Sequence, residues 1–322
     1  MADEYQNYLR KIANRHKTPD ELIETWVKEA SGTKLKSKTK IMTGEANEVY
    51  EVSTHDRQTL IVRINHSTKP TFDQEKWAIE QCFQKGIPVP KILLIKHIQE
   101  NNQVMSVCIQ EKLPGDTMER GRINYWNMPE TQAKTLLFKS GELLARIHSI
   151  KIAGFGELSG QGKGRYATFS QMVLEKPKGE EAYHALVKNL NLTLSQMQKA
   201  LKILTLAGEK FSDIKPVLNH GDFAAKHIMY ERDKITGLID FGEVLGHSPV
   251  YDFARWEYWF GNDKYYGWIK DGYTDKSILG DGFDELSRVI QVDICLGTMY
   301  WYFQQKYSRG IKMAVTKLTK LI

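Results

Sequence analysis

The sequence predicts an α+β chain of two lobes, a β-rich N-terminal lobe followed by a larger, mainly helical C-terminal lobe. Three observations carry this reading. The chain has 322 residues, more than the roughly 100–200 that one core commonly serves. Strand-like alternation dominates the first third, and helical spacing dominates the rest. Apolar residues make up 41% and charged residues 26%, an ordinary globular balance that argues against long disorder.

Thr18-Pro19-Asp20-Glu21 has the form of a capping box with proline at the first helical position, which predicts a helix from about Pro19 to Ala30. Residues 1–39 therefore read as a helical extension. From Lys40 the pattern becomes strand-like: Val49, Tyr50 and Val52, then Leu60-Ile61-Val62-Arg63-Ile64 after the turn-like His55-Asp56-Arg57. Asp73 to Lys85 is helix-compatible and stops at Gly86, while Pro88 and Pro90 precede the strands Ile92-Leu93-Leu94-Ile95 and Val104 to Ile109. The break at Leu113-Pro114-Gly115-Asp116 sets a boundary near residue 112, giving an N-lobe over 40–112 and a C-lobe over 113–322. Helices are predicted over Thr131 to Ile150, about Gln196 to Phe211, and from Asp284 onward. Two short β-like runs, Pro216-Val217-Leu218 and Ile235-Thr236-Gly237-Leu238-Ile239, each lead into a polar motif.

Bulk properties remove several function classes. No run of about 18 apolar residues occurs, and the stretch MADEYQNYLRKIANRHK is polar, so a cytoplasmic chain with no membrane partner is expected. Cys82, Cys108 and Cys295 are far apart and form no CxxC, which suits reduced core residues. The net charge of +6 is spread along the chain, so no nucleic-acid partner is expected. Between Glu243 and Asp293, ten acids face five bases, a local balance of 5 − 10 = −5.

The chemistry lies in His220-Gly221-Asp222-Phe223-Ala224-Ala225-Lys226-His227 and in Asp240-Phe241-Gly242, which follows Asp222 by eighteen residues at the end of an apolar run. Phosphoryl transfer needs a carboxylate to orient and accept the hydroxyl proton, and ligands for the metal that bridges the phosphates. Asp222 supplies the first, and His227 and Asp240 the second. The kinase signature is a His-x-Asp with a ligand five residues beyond the Asp, followed by Asp-Phe-Gly on a neighbouring strand; order and spacing both fit. His220 reads as a buried prop for the loop, and Asp252 in Tyr251-Asp252-Phe253-Ala254 as its structural anchor.

The stretch NHGDFAAKHIMYERDKITGLIDFGEVLGHSPVYDFARWEYW resembles the aminoglycoside phosphotransferase family, the antibiotic-kinase branch of the bilobal protein-kinase-like fold. Gly154-Phe155-Gly156-Glu157 through Arg165-Tyr166-Ala167-Thr168-Phe169 is similar to the linker of hygromycin-type members. The resemblance covers roughly residues 40 to 300, and the extension before it has no counterpart. It implies Asp222 as catalytic base, and His227 and Asp240 as ligands of Mg2+, with ATP or GTP as co-substrate. It also implies Arg63 at the strand position of the phosphate-binding lysine, with Glu75 as its partner. Arginine keeps its charge and can fork to two phosphate oxygens. Gly44 and Asn47 fall in the nucleotide-covering segment Thr43-Gly44-Glu45-Ala46-Asn47-Glu48-Val49-Tyr50, and the backbone of Glu111 and Leu113 in the inter-lobe hinge Ile109 to Gly115 that meets the purine. Position 227 is usually asparagine, and histidine there is similar to macrolide kinases. A neutral imidazole is a softer ligand, better matched to Mn2+ than an amide.

Only nine residues, Glu243 to Tyr251, separate the Asp-Phe-Gly from the Asp252 motif, and no A-P-E follows, which leaves no room for a peptide-docking segment. A small hydroxylated acceptor is therefore expected. The acidic stretch suits a cationic aminoglycoside or macrolide amino sugar, with Glu243 and Glu257 as acids and Trp256 as stacking surface. A metabolic kinase acting on choline, a sugar or an amino acid, and a nucleotide-binding protein without turnover, are the alternatives.

Overall fold

Alternation along the first strands puts one set of side chains against the core and the other toward a cleft. The computed structural model describes residues 2–67, 71–100, 103–121, 123–175 and 192–322. Strands β1 (Leu35–Ile41), β2 (Glu48–Thr54), β3 (Thr59–Asn65), β4 (Ile92–Glu100) and β5 (Gln103–Glu111) form an antiparallel sheet in the order β1-β2-β3-β5-β4. On β3, Val62 and Ile64 are fully buried toward helix α2 (Asp20–Ser31), where they meet Ile23, Trp26 and Val27. Those three stand at i, i+3 and i+4, one helical face, and burying each contributes roughly 2 kcal/mol. Arg63, between Val62 and Ile64, consequently points to the other face, where helix α3 (Asp73–Gln84) lies.

Two expectations at the N-terminus are corrected. The extension also contains helix α1 (Ala2–Ala13), and β1 begins at Leu35, before the expected start at Lys40. The capping box does not form either. Thr18 donates its N–H and hydroxyl to Glu48 at 3.2 and 2.7 Å, and Pro19 takes the N-cap position.

The second half is built on α4 (Glu130–His148), α5 (Phe169–Glu175), α6 (Leu194–Lys210), α7 (Val250–Phe260), α8 (Lys264–Gly272), α9 (Phe283–Gln304) and α10 (Ser308–Leu321). Short strands β6 (Asp116–Thr117), β10 (Ile228–Glu231) and β11 (Lys234–Leu238) make one small sheet. A second contains β7 (Phe155–Leu158), β8 (Gly164–Tyr166), β9 (Val217–Asn219) and β12 (Leu245–His247). The α+β class with its β-rich and helical lobes is thus present as the sequence indicates. The long helical segment from Asp284 is two helices, interrupted where Lys306 turns to φ 55°. All three cysteines are buried and free, and burial pushes their thiols up to about 12, which keeps them protonated. Among the described residues no helix is long and apolar enough to cross a membrane.

Helices α4 and α8 cross with their backbones in contact. A Cβ added at Gly141 would strike the Ile269 carbonyl, and one at Gly272 the Phe138 carbonyl. Gly141→Ala is therefore expected to cost about 2–3 kcal/mol in a denaturant melt, the range for overpacking a closed contact. A loss below about 0.5 kcal/mol would show that the two helices part freely.

Candidate active site

Strand β9 ends at Asn219 and delivers a loop whose shape is set by a wholly buried carboxylate, Asp252 on α7. Its Oδ2 accepts from the His220 N–H at 2.8 Å and its Oδ1 from the Gly221 N–H at 2.9 Å. His148 of α4 adds its Nε2 at 3.1 Å, and Nδ1 of that ring lies 3.0 Å from the Tyr273 hydroxyl. Gly221 is required on two counts. Its φ is +82°, and a Cβ would collide with the Glu243 carbonyl. His220 is fully buried and donates from Nε2 to the Ile239 carbonyl at 3.1 Å, tying the loop to the end of β11. Burial, followed by the neighbouring His227, pushes its pKa down and keeps the ring neutral. It props the loop.

From this loop a line of charged contacts crosses the cleft. Asp222 Oδ1 accepts from Arg255 Nε and Nη2 at 3.2 and 3.1 Å, and its Oδ2 lies 2.9 Å from Lys226 Nζ. His227 donates from Nδ1 to the Asp222 backbone carbonyl at 2.8 Å, which turns its Nε2 toward Asp240 Oδ2 at 3.2 Å. Asp240 stands in the left-handed region at φ +65° and ψ +63°, a conformation uncommon for a non-glycine residue, and half of its side chain reaches solvent. Its Oδ1 accepts from Arg63 Nη2 at 3.1 Å, and Arg63 Nη1 donates to the buried Glu75. Asp222, His227, Asp240, Arg63 and Glu75, read one by one in the sequence, are therefore neighbours.

Electrostatics follow from these contacts. Burial pushes the Asp222 carboxyl up, but Arg255, His227 and Lys226 outweigh it and hold it well below the ordinary carboxylate range. Enclosure likewise raises Asp240, and His227 and Arg63 more than reverse that. Burial pushes the Glu75 carboxyl up against the pull of Arg63. Asp222 and Asp240 are thus carboxylates at neutral pH.

Nε2 of His227 and Oδ2 of Asp240 face the same gap, and with the ring neutral the two would suit a divalent cation. An imidazole nitrogen already oriented through its other N–H, paired with a hard carboxylate oxygen, is a common metal-binding combination. Among the described residues no group of three or more His, Cys, Asp or Glu is placed to hold a metal. The pair therefore suits an ion that takes its remaining ligands from phosphate and water.

Two participants escaped the sequence reading. Arg255 follows Asp252 by three positions on α7, so one helix face fixes both the backbone and the carboxylate of the Asp222 loop. Lys226 lies beside His227. The only sequence signal for Arg255 was its place directly after Asp-Phe-Ala.

The remaining assignments divide. Asn47 accepts through Oδ1 from Asn65 at 2.8 Å, fastening the Gly44 segment to the end of β3. Glu111 ends β5 with its N–H on the Lys91 carbonyl at 3.0 Å, and Leu113 packs over Gly237. Glu243 is exposed on the turn after Asp240, within electrostatic reach of Arg255 and Asp222. Of the other two acceptor assignments, the one at Trp256 is corrected. Trp256 is 1% exposed and packed against Phe223 and Phe260, so it offers no open stacking face. Glu257 accepts from Ser287 and Gln291 at 3.0 and 3.1 Å, which commits it to α9. The acidic count was misleading for the same reason, because Asp252, Glu257, Asp263, Asp275 and Glu285 all hold structure together.

A β-rich lobe facing a helical lobe, with the two acidic motifs meeting in the cleft between them, defines a kinase-like phosphotransferase fold. Residues 39–273 match the phosphotransferase enzyme family, and the chain belongs to it. It is 23% identical over 204 residues to the hygromycin-B 4-O-kinase of Escherichia coli; the match covers 62% of this chain, which spans 55% of that curated relative's length. Among solved structures it is similar to a thermostable mutant of aminoglycoside phosphotransferase APH(4)-Ia in ternary complex with ADP and hygromycin B. That likeness has a TM-score of 0.75 at 18% identity and covers 93% of this chain and 97% of the other. Amicoumacin kinase in complex with AMP-PNP, Ca2+ and Ami is similar at TM-score 0.64 and 13% identity, covering 98% of this chain and 96% of the other. At these identities the likeness establishes the fold.

Asp252→Ala would leave two loop N–H groups and a histidine without their shared acceptor in a dry site. It is expected to cost about 3–5 kcal/mol in a urea melt and to expose the 220–222 amides to hydrogen exchange. A loss under about 1 kcal/mol with those amides still protected would remove Asp252 as the anchor.

Proposed function

We propose that this chain is a metal-dependent small-molecule kinase that transfers the γ-phosphate of ATP or GTP to a hydroxyl of an antibiotic-like acceptor. The observation that carries the reading is the unbroken line Glu75–Arg63–Asp240–His227–Asp222–Arg255, which spans the cleft from sheet to helices. Family membership supports it, as do the hygromycin-B 4-O-kinase and amicoumacin kinase relatives, whose names specify antibiotic acceptors.

In this reading the purine lies against the hinge at Glu111 and Leu113, and the phosphates pass beneath Gly44 and Asn47 toward Arg63. His227 and Asp240 would hold the metal ion, Mg2+ or the softer Mn2+, which when bound supplies positive charge to the phosphate oxygens. Arg63 braces Asp240 with Nη2 while Glu75 fixes Nη1, so its charge stays at the phosphate end of the cleft. Asp222 receives the acceptor hydroxyl. Because Arg255 and Lys226 keep it ionised, its work is to orient the hydroxyl and to take the proton late, as the transferring phosphoryl makes that oxygen acidic. Glu243, exposed beside Asp222, is the acid placed to meet a cationic acceptor. Residues 40–112 would carry the nucleotide and 113–322 the acceptor.

Asp222→Asn keeps the shape and removes the proton acceptor. It is expected to lower turnover at least 100-fold in a coupled assay for nucleoside diphosphate, with nucleotide affinity by calorimetry within about threefold of the parent. Retention of more than about a tenth of parental turnover would take Asp222 out of the proton path.

A further inference from the structure

The kinase reading gives helix α1 no task, yet its contacts end on the segment that covers the nucleotide. Glu45, the residue after Gly44, accepts from the Tyr5 hydroxyl at 2.5 Å and the Tyr8 hydroxyl at 3.3 Å, both on α1. It also accepts from Trp301 Nε1 at 3.2 Å, on α9. Three donors outside the sheet therefore converge on one carboxylate of the covering loop. Arg120, from the second half of the chain, adds a contact to the Thr43 carbonyl at 3.4 Å.

Helix α1 is itself seated on the helical lobe. Leu9 is 1% exposed, the Tyr8 ring stacks on Tyr307 at 4.2 Å between centroids, and Arg15 donates to Gln305 at 2.6 Å. The connection onward to α2 is fixed to the sheet instead. The buried Glu48 accepts from Thr18, Lys40 and Tyr50, and Lys40 also donates to the His16 carbonyl at 2.7 Å. The N-terminal segment thus crosses from one lobe to the other, gripping the covering loop at Glu45 and again at Glu48. Trp259 packs in the α1 cluster and carries the Arg255 guanidinium over its ring at 5.9 Å, and Arg255 holds Asp222. The strap is therefore continuous with the residue that would receive the acceptor.

A covering loop closes on phosphates only if something restrains it when the lobes move. Here the loop has one glycine and its own internal ties are few, whereas Glu45 is held from outside by rigid aromatic donors. We propose that α1 is a strap that positions the nucleotide-covering loop, with Glu45 as the positioning residue through which Tyr5, Tyr8 and Trp301 hold residues 43–47 closed over a nucleoside triphosphate. This rests on the kinase reading of that loop. The strap acts through Glu45 on nucleotide affinity.

The test uses the full chain with Mg2+ and ATP or GTP. Calorimetric affinity and hydrogen exchange over 42–48 are measured for the parent, for Glu45→Ala, for the Tyr5→Phe/Tyr8→Phe pair, and for all three changes together. The Phe variants keep the rings and remove only the donors. Nucleotide Kd is expected to rise about five- to tenfold in Glu45→Ala, the loss anticipated for partly exposed hydrogen bonds to a charged group. The loop should lose the protection that nucleotide confers in the parent, and Tm should stay within about 2 °C. The Phe pair should reproduce the shift, and the triple variant should add nothing to it, since all act through one carboxylate. If nucleotide protects the loop in the parent but neither variant changes Kd, the strap is only a structural cover and the proposal falls. It falls equally if the change appears in acceptor KM alone, which would make α1 part of the acceptor wall. If nucleotide binds the parent without protecting 42–48, the assignment of that loop fails and the strap loses its function with it.

Discussion

The buried carboxylate of Asp252 is the constraint from which the rest of the cleft follows. By accepting from two consecutive N–H groups and a histidine, it gives the chain after β9 a turn that only Gly221 can make. That turn sends the Asp222 side chain toward Arg255, one helical turn from Asp252 itself. It also places the Asp222 carbonyl where His227 must donate its Nδ1–H, and this aims Nε2 at Asp240. A single wholly buried acid thus determines three side-chain orientations, and each depends on the one before it. Buried charges are expensive to strand, so the arrangement is as stable as its partners are complete.

The polar line across the cleft serves a second purpose. Arg63 and Glu75 come from the sheet and its helix, while Asp222 and Arg255 belong to the helical half. Asp240 accepts from Arg63 and faces His227, so ionic contacts join the two halves at the cleft, beside the apolar packing of Ala78, Ile79, Cys82 and Ile87 on the helical half. Such contacts can be exchanged for those to a phosphate without dismantling a core. The strong depression of both Asp222 and Asp240 means that neither needs to lose a proton before charged ligands arrive.

Much of the architecture was legible because it depends on short-range rules. The strand alternation of β2 and β3, the stop at Gly86 and the break at Pro114 follow from local backbone preference, and the spacing of Asp222, His227 and Asp240 singled out side chains that the fold brings together. What escaped was three-dimensional. Arg255 acts through a helix face that exists only once Asp252 is anchored, and Thr18 left its capping box because Glu48, thirty positions away, offers a better acceptor. Helix α1 shows Tyr5, Tyr8, Leu9 and Ile12 at i, i+3, i+4 and i+7, a readable face that its surrounding charges obscured. Counting acids between Glu243 and Asp293 failed because composition does not distinguish a cap or a helix tie from a ligand. Trp256 failed likewise, since a tryptophan in an aromatic-rich helix is as well suited to the core as to a sugar ring.

The central claim is that these contacts form a phosphoryl-transfer site for a small hydroxylated acceptor. The most direct measurement incubates the chain with γ-labelled ATP or GTP, in Mg2+ and in Mn2+, against a panel of hydroxylated antibiotics and metabolites, and follows the label. The account predicts label on a cationic antibiotic of the hygromycin or amicoumacin kind, in step with release of nucleoside diphosphate. Tight nucleotide binding with no label on any acceptor would contradict it.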